Sequence, residues 1–375
     1  MSDRIAFPRR RALAAAAVVV LVLISAARGD TIVMSVPGYT DLVTVTVGNT
    51  GNAADSRVMN DPLTTSGYGS VPYEYQIGKN HVTNAQYAQF LNAAAAVIGS
   101  TTNSLWNASM ASDTIRGGIG RTGAGTALDP WVYTPKADFH DKPVNYVNWY
   151  SAARFTNWLT TGDTESGVYT FSGATTVTSM MNHQAAGSQY GVAYFLPSED
   201  EWYKAAYYDP TIGNANDALN YWTYGTKSNT APTPATATAT GDVANPGTNV
   251  TNHGNAANWN GSTGGNVTTV GSAGPGSMSY YGAYDMAGNV FDWNEAEIWY
   301  PTLEQWRRGI RGASYSNSAG ASAATFRYHV GYPSSPANGT NNVGFRIASI
   351  PEPGGITLLL AGAAGLLLWR RRRSC

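Results

Sequence analysis

Cysteine and charged residues are the scarcest components of this sequence. The one cysteine in 375 residues, Cys375, is the last residue of the chain, so an internal disulfide and a metal site built from several thiolates are both excluded. Charged residues make up 13% of the chain, about half the share that is usual in soluble domains. So few charges cannot form a dense basic surface for a phosphate backbone, which excludes a nucleic-acid-binding protein.

Long hydrophobic runs and arginine clusters are confined to the two ends of the chain. Nine of the 23 basic residues lie in these ends, together with the acidic residues Asp3 and Glu352. Residues 30–350 therefore keep 14 basic and 22 acidic residues, a net charge of −8. No glycine-rich phosphate loop and no G-x-S-x-G nucleophile turn occurs. The central part is an acidic globular region without a familiar catalytic motif.

Residues 1–29 have the composition of an export signal. Arg4 and three arginines at 9–11 precede an apolar run at 12–24, and small residues follow at 25–27. Cleavage is expected after Ala27 or Gly29. The arginine pair leaves both the general secretory route and the twin-arginine route open.

Residues 351–375 have the composition of a second targeting signal. Pro351-Glu352-Pro353 is followed by an apolar run at 354–369 and four arginines at 370–373. This pattern resembles the PEP-CTERM sorting tail of bacteria that make exopolysaccharide, and the resemblance implies an exosortase as processing partner. The run is shorter than the ~20 residues that span a bilayer, and the alternative is a plain C-terminal anchor. We expect a cell-surface or extracellular-matrix protein that meets the membrane only through its terminal segments, transiently in the case of the tail.

Local patterns predict a few strands and helices. Residues 42–47, LVTVTV, alternate with period two and predict a half-buried strand, and residues 73–78 predict another. The first helix is predicted to begin at a capping box formed by Thr83 and Gln86. Residues 99–141 show no clear periodicity and predict loops with short strands.

Two further helices have recognisable starts. The second is capped by Asn148 or Ser151, and the third begins at a capping box formed by Ser198 and Glu201. Acidic residues fill positions 199–201 of the third helix. Because the helix dipole favours negative charge in the first turn, we interpret these carboxylates as structural and not as an acid–base pair.

Residues 226–277 are rich in Thr, Ala, Asn, Gly and Pro. A segment of this composition buries little apolar area to offset the entropy of ordering it, so we predict a loop region with its most disordered part at 230–241.

The segment 280–295, YYGAYDMAGNVFDWNE, combines a turn, bulky apolar residues and oxygen ligands. Gly288 and Asn289 predict the turn, since glycine accepts positive φ and asparagine can bond to nearby backbone. Side-chain oxygens follow at Asp285, Asn289, Asp292 and Glu295. Those of Asn289 and Asp292, together with the carbonyls of the turn, are the ligands that a hard cation such as calcium takes. The alternative is an Asx turn beside a buried tryptophan.

The segment GAYDMAGNVFDW also resembles the GLYDMAGNVWEW signature of the formylglycine-generating, sulfatase-modifying family. Further segments follow in the order of that family; they are IGKNHVTNAQYAQFLNA at 77–93, PVNYVNWYSAARFTNWL at 143–159, FLPSEDEWYKAAY at 195–207, RGAS at 311–314 and VGFRIA at 343–348. The resemblance covers about residues 43–349. It implies one α+β domain over 30–350, the sulfatase-modifying variant of the C-type-lectin fold, loop-rich with few helices and short antiparallel strands.

The resemblance implies two structural calcium sites. The first would use the side chain of Asn258 and the carbonyl of Trp259, but the acidic residue that completes it in the family is missing at 264–266. The second would use Gly288, Asn289, Val290 and Asp292, with Asp292 where the family usually has Glu. We expect at least one calcium ion.

The copper-dependent oxidases of the family hold Cu(I) with two cysteine thiolates, a soft-ligand arrangement. Alignment on the closing GFR places those positions at Ala323 and Tyr328, so copper is not expected. A related branch uses non-heme iron, and the histidines of this chain show no ligand spacing; they are His81, His140, His183, His253 and His329.

The sequence therefore predicts an exported, non-catalytic protein that binds polysaccharide or a partner protein. Rings outside the helices could stack on sugars; they are Trp106, Trp131, Trp222, Trp259 and Trp299. The alternatives are a formylglycine-generating-like oxidoreductase with a non-heme metal, such as iron, and a purely structural matrix role.

Overall fold

The computed structural model describes most of the chain between the two terminal segments, namely residues 30–61, 63–97, 105–213, 220–301, 304–330 and 339–350. The predicted export signal and sorting tail lie outside the described residues. Within the part that is described, no helix is both long and apolar enough to cross a bilayer.

The helices among the described residues are short; they are α1 (Asn84–Ala94), α2 (Ser109–Ser112), α3 (Trp149–Thr161), α4 (His183–Tyr190) and α5 (Glu199–Tyr207). The predicted capping boxes of α1 and α5 are both confirmed. Asn148 caps α3 by accepting a hydrogen bond from the Ser151 amide at 2.7 Å, which decides between the two predicted caps. Helices α2 and α4 were not predicted, because neither has an apolar stripe of helical period.

The strands are also short; they are β1 (Thr31–Met34), β2 (Leu42–Val47), β3 (Tyr75–Gly78), β4 (Ile119–Thr122), β5 (Val132–Pro135), β6 (Tyr169–Phe171), β7 (Val177–Met180), β8 (Ala193–Phe195), β9 (Thr233–Pro234), β10 (Val250–Thr251), β11 (Phe291–Tyr300), β12 (Gln305–Arg311), β13 (Tyr328–Val330), β14 (Val343–Gly344) and β15 (Ala348–Ile350). The predicted strand at 42–47 coincides with β2.

Two sheets organise the domain. The larger has the order β1-β2-β3-β15-β8, and all its pairs are antiparallel. The smaller has the order β13-β12-β11-β14, in which β11 and β14 are parallel. Strand β15, near the end of the described chain, pairs with β3 and β8, so residues far apart in sequence close the larger sheet. Few helices, short mainly antiparallel strands and many loops confirm the predicted α+β class.

The main core contains the residues of α1 and α3 that face inward. Tyr87, Phe90 and Phe155 are fully buried together with Phe345. The ring centroids of Phe155 lie 5.3 Å from Phe90 and 5.4 Å from Phe345, at angles typical of edge-to-face aromatic pairs. Edge-to-face packing of these rings therefore joins α1, α3 and the segment of Phe345 in one core.

The prediction of disorder at 230–241 is wrong. Strand β9 pairs in parallel with β10, and Ala235 is fully buried beside Val243 and Val250. A side-chain hydrogen bond also holds this segment in place: the Asn245 Oδ1 accepts from the Thr236 amide at 2.7 Å. Composition misled the prediction because it counts apolar residues and does not count such bonds.

Candidate functional site

The turn at 288–289 lies in the interior. Gly288 and Asn289 both have positive φ, 88° and 68°, which confirms the predicted bend. The Asn289 side chain is fully buried, with its Oδ1 accepting from the Thr268 amide at 2.9 Å and its Nδ2 donating to the Thr268 carbonyl at 3.0 Å. Asn289 thus fastens the turn to the loop that contains Thr268. These bonds are not the local Asx bond of the alternative, because Thr268 lies 21 residues earlier in the chain.

Asp292 is fully buried and is surrounded by donors. Its Oδ2 accepts from the Arg346 Nε at 2.7 Å and from the Trp202 Nε1 at 2.9 Å, while its Oδ1 lies 3.4 Å from the His81 Nε2. Burial alone would raise the pKa of Asp292, but the charge of Arg346 outweighs it and lowers this pKa to about 2. The Arg346 guanidinium neutralises the carboxylate through Oδ2, while Oδ1 is buried without a hydrogen-bond partner among the described residues. The role of Asp292 as a calcium ligand stays a prediction.

At the other predicted calcium site, side chains form hydrogen bonds with neighbouring parts of the chain. Asn258 Oδ1 accepts from the Gly265 amide at 2.9 Å, and Trp259 is buried with its indole donating to the Val267 carbonyl at 2.7 Å. The Arg116 Nη2 donates to the Gly265 carbonyl at 3.0 Å, and its Nε donates to the same oxygen at 3.2 Å. An arginine therefore supplies the positive charge at the loop where the expected acidic residue is missing.

One residue from each predicted calcium site contributes its side chain to the same apolar cluster. Trp259 and Val290 belong to one buried cluster with Phe139 and Val267. Within the described part of residues 30–350, no three His, Cys, Asp or Glu side chains come together as a metal site. The Asn258 and Asn289 side-chain oxygens accept hydrogen bonds from the backbone amides of Gly265 and Thr268.

The two positions aligned with the copper cysteines have different surroundings. Ala323 follows a short 3-10 helix and forms a bridge with Tyr224. Tyr328 begins β13 and is 48% exposed, with its ring stacked on those of Phe326 and His329 at 5.8 and 5.4 Å. At position 328, where the copper oxidases of the family have a cysteine thiolate, this chain has a partly exposed aromatic ring.

The histidines have separate environments. His183 is held between two carboxylates, with Nδ1 2.9 Å from Glu201 and Nε2 3.0 Å from Glu295. His81 lies beside Asp292, and His329 lies 3.3 Å from the Arg307 Nη1. His140 stacks on Tyr39, and His253 bonds to Thr251.

The acidic first turn of α5 has partners that the helix dipole does not account for. Glu199 accepts from Arg311 and Arg327, each at 2.7 Å, and Glu201 contacts His183. These carboxylates are buried structural charges. Arg311 comes from β12, Arg327 directly precedes β13 and His183 begins α4, so the pattern within the α5 segment could not indicate these partners.

The strands β11 and β12 form a two-stranded ribbon whose outer end is exposed. Glu297 pairs with Arg308 and Trp299 with Trp306, so these four side chains share one face, which we call the ribbon face. Trp299 is 40% exposed and Trp306 is 61% exposed, and their ring centroids lie 5.4 Å apart.

Trp299 is the one exposed ring among the five predicted sugar-binding tryptophans. Trp106 and Trp131 enclose the Arg121 guanidinium at 3.9 and 4.2 Å, and Trp222 donates to Asp209. Trp259 is in the core. Trp306 was not among the predicted rings. The signal that could have found it is Pro301, which interrupts the strand pattern between Trp299 and Trp306.

Comparison with known proteins places the chain in a family. The sequence profile described as Sulfatase-modifying factor enzyme 1-like domain matches residues 36–350. No curated protein matches the chain. Similar solved structures include Treponema denticola variable protein 1, at 18% identity and a TM-score of 0.43, covering 86% of this chain and 99% of that one.

Two other solved structures are similar to the same extent. CarF is 17% identical with a TM-score of 0.46, covering 81% of this chain and 97% of that one. PvdO from Pseudomonas aeruginosa is 16% identical with a TM-score of 0.46, covering 86% and 97%. The profile match spans most of the sequence, including the turn at 288–289 and the closing strands, and the chain therefore belongs to the sulfatase-modifying factor enzyme 1-like domain family.

Proposed function

We propose that this protein is an exported, non-catalytic binding domain whose ligand is a polysaccharide of the cell surface or extracellular matrix. The observation that carries the proposal is the pair Trp299 and Trp306, two large rings left exposed at the end of a ribbon whose other end is buried. Exposed aromatic pairs of this kind are typical of ligand-binding surfaces.

The positions aligned with the copper cysteines support a non-catalytic role. Ala323 has no ligand atom in its side chain, and the Tyr328 phenol is a hard oxygen donor that does not suit Cu(I). Oxidation of a substrate cysteine by a two-thiolate copper centre has no residues to act through. A non-heme iron centre would need histidines that converge, and the environments of the described histidines favour no such centre.

The termini support the proposed location. An export signal at 1–29 would carry the chain out of the cytoplasm, and the tail at 351–375 would hold it at the membrane until an exosortase-type enzyme processes it. A polysaccharide ligand suits a protein delivered in this way. A partner protein is the other class of ligand that such a location offers.

Calcium binding stays a prediction of the family resemblance. The Asn258 and Asn289 side-chain oxygens already accept hydrogen bonds from backbone amides, whereas the Asp292 Oδ1 is buried without a hydrogen-bond partner among the described residues. Elemental analysis of the exported protein, dialysed without chelator, checks the metal content. Stoichiometric calcium would support the calcium prediction, and stoichiometric iron or copper would overturn the non-catalytic proposal.

Binding and turnover assays on the exported full chain test the function. We expect retention on immobilised polysaccharide or a signal on a glycan array, with no oxidation of thiol-containing peptides. Turnover of a cysteine peptide, or an absence of glycan binding, would contradict the proposal.

A further inference from the structure

We propose that the ribbon face, together with the groove beside it, binds a neutral hexose polysaccharide. This inference rests on the proposed function and names the site and the ligand class. Trp299 and Trp306 would form an apolar platform, and the groove would receive the hydroxyl groups of the next sugar along the chain.

The groove is an open depression of about 400 Å³. One wall is formed by residues 175–180, and the other by Tyr150, Glu297 and Arg308. Because Glu297 and Arg308 precede the tryptophan pair by one step on the same face, the groove continues directly onto the two rings. A linear ligand could therefore lie along both without bending.

The polar wall is rich in hydroxyl groups. Thr175, Thr176, Thr178 and Ser179 are all exposed, and Thr178 also donates to the Thr170 carbonyl at 3.1 Å. Hydroxyl groups both donate and accept, so this wall can bond to sugar hydroxyls in several registers. Met180, which is 46% exposed, adds an apolar contact at the end of the same wall.

The opposite wall contains a fixed ion pair. The Arg308 Nη2 lies 2.7 Å from the Glu297 Oε1, and the Arg308 Nη1 donates to the Glu295 carbonyl at 3.0 Å. The guanidinium also lies 3.8 Å above the Trp149 ring. Arg308 is thus held in place before any ligand binds, and Glu297 remains 57% exposed beside it. A donor next to an acceptor matches the neighbouring hydroxyl groups of a sugar ring.

The combination of rings and polar walls selects the ligand class. A pyranose ring has faces made of C–H groups and an edge of hydroxyls, so it can place a face on the tryptophans and its edge against the ion pair. An acidic polysaccharide would meet the exposed Glu297 carboxylate and a domain of net charge −8. The electrostatics therefore favour a neutral chain.

The test uses the exported full chain and its variants in affinity electrophoresis with dextran, yeast mannan and a mixed-linkage β-glucan, and with polygalacturonate as the acidic comparison. We expect at least one neutral polymer to retard the protein, and polygalacturonate to bind more weakly. Trp306→Ala and Trp299→Ala should each weaken binding at least about tenfold, as expected for tryptophans at the centre of an interface.

Tyr280→Ala is the matched control, because Tyr280 is an exposed aromatic residue, at 38%, that lies outside the ribbon face. Its affinity should stay within about twofold of the parent, since residues outside an interface contribute little to binding. Glu297→Gln keeps the shape of the groove and removes the charge, so it should weaken neutral polymers and raise the relative affinity for polygalacturonate. Circular dichroism of each variant shows that the fold is retained.

The outcomes separate the two proposals. Glycan binding that survives both tryptophan substitutions would place the ligand elsewhere and overturn this inference alone. Retention of a partner protein in a Trp306-dependent way, without glycan binding, would overturn the carbohydrate assignment. An absence of binding to any polysaccharide would overturn both.

Discussion

The two halves of β11 have opposite environments. Its first residues, Phe291 to Asn294, are all buried, and Asp292 is neutralised by Arg346 there. Its second half reaches solvent, where Glu297 and Trp299 are exposed. The register with β12 shifts between Trp293 and Glu297, and such irregularities re-aim the side chains that follow.

This comparison shows how one strand can serve both stability and binding. The buried half has a carboxylate whose Oδ2 accepts from Arg346 and Trp202, while its Oδ1 faces His81. The exposed half has two rings that lie against each other and an ion pair at the edge of a groove. Changes in the first half should therefore alter folding, and changes in the second half should alter binding.

The largest expected effect comes from removing the buried charge. Asp292→Ala leaves Arg346 buried without its partner, which should cost about 3–5 kcal/mol of unfolding free energy. Urea denaturation followed by tryptophan fluorescence measures it. Glu297→Ala breaks the other carboxylate–arginine pair of β11 as a control and should cost about 1 kcal/mol or less, because Glu297 is exposed. Equal costs for the two variants would contradict the comparison.

The turn that leads into the buried half should be nearly as sensitive. A Cβ added at Gly288 would lie 2.3 Å from the Asn252 carbonyl oxygen, in addition to the strain of its positive φ. Gly288→Ala should therefore cost about 3 kcal/mol.

Gly282→Ala is the matched control for that substitution. Gly282 has a similar φ of 86°, and an added Cβ would have no neighbour within 4 Å. It should show only the backbone strain, about 1 kcal/mol. Thermal unfolding of both variants measures the difference, and an equal loss would mean that the contact with Asn252 relaxes at no cost.

The third prediction concerns the pH dependence of stability. It depends on Glu295, which lies where the buried and exposed halves of β11 meet, and on His183, which Glu295 contacts. Burial alone would lower the pKa of His183, but Glu201 and Glu295 outweigh it and raise this pKa well above its ordinary value. The folded state then holds a proton that the unfolded state releases above about pH 6.5. Stability from this group is complete below that pH and is lost as pH rises through the raised pKa.

The unfolding free energy should therefore fall above neutral pH by up to about 1.4 kcal/mol per pH unit through this group. His183→Gln should flatten that slope. His253→Gln is the control, because burial lowers the pKa of His253 and its contribution is lost as pH falls. A slope that His183→Gln leaves unchanged would show that His183 with its partners Glu201 and Glu295 is not the source.

The smallest expected effect is that of the exposed rings on folding. Trp306→Ala should change the unfolding free energy by about 0.5 kcal/mol or less, since the side chain is 61% exposed. Trp293→Ala, in the buried half of β11, should cost about 3–5 kcal/mol by leaving a cavity. Denaturant titration of the two variants tests this contrast, and a large loss at Trp306 would indicate a structural role for the ribbon face.

Local signals were sufficient for several elements of the fold. Alternation predicted β2, and the spacing of Thr83 with Gln86 and of Ser198 with Glu201 predicted two helix starts, because both depend on residues within one turn. The bend at Gly288 was predicted for the same reason. Helices α2 and α4 escaped prediction because tertiary contacts, and no apolar stripe, hold them in place.

The candidate site was less accessible from the sequence. The composition and the motifs indicated the family, the absence of a thiolate copper centre and the aromatic content, since these depend only on which residues are present. Only the tertiary structure brought Arg346 to Asp292, placed Arg116 in the loop with Gly265, and set Trp306 beside Trp299 at the rim of a groove. The two arginine contacts join segments that are distant in the chain, and Trp299 meets Trp306 only when β11 pairs with β12. Burial, which decides whether a carboxylate binds an arginine or a ring meets a ligand, exists only once the strands have paired.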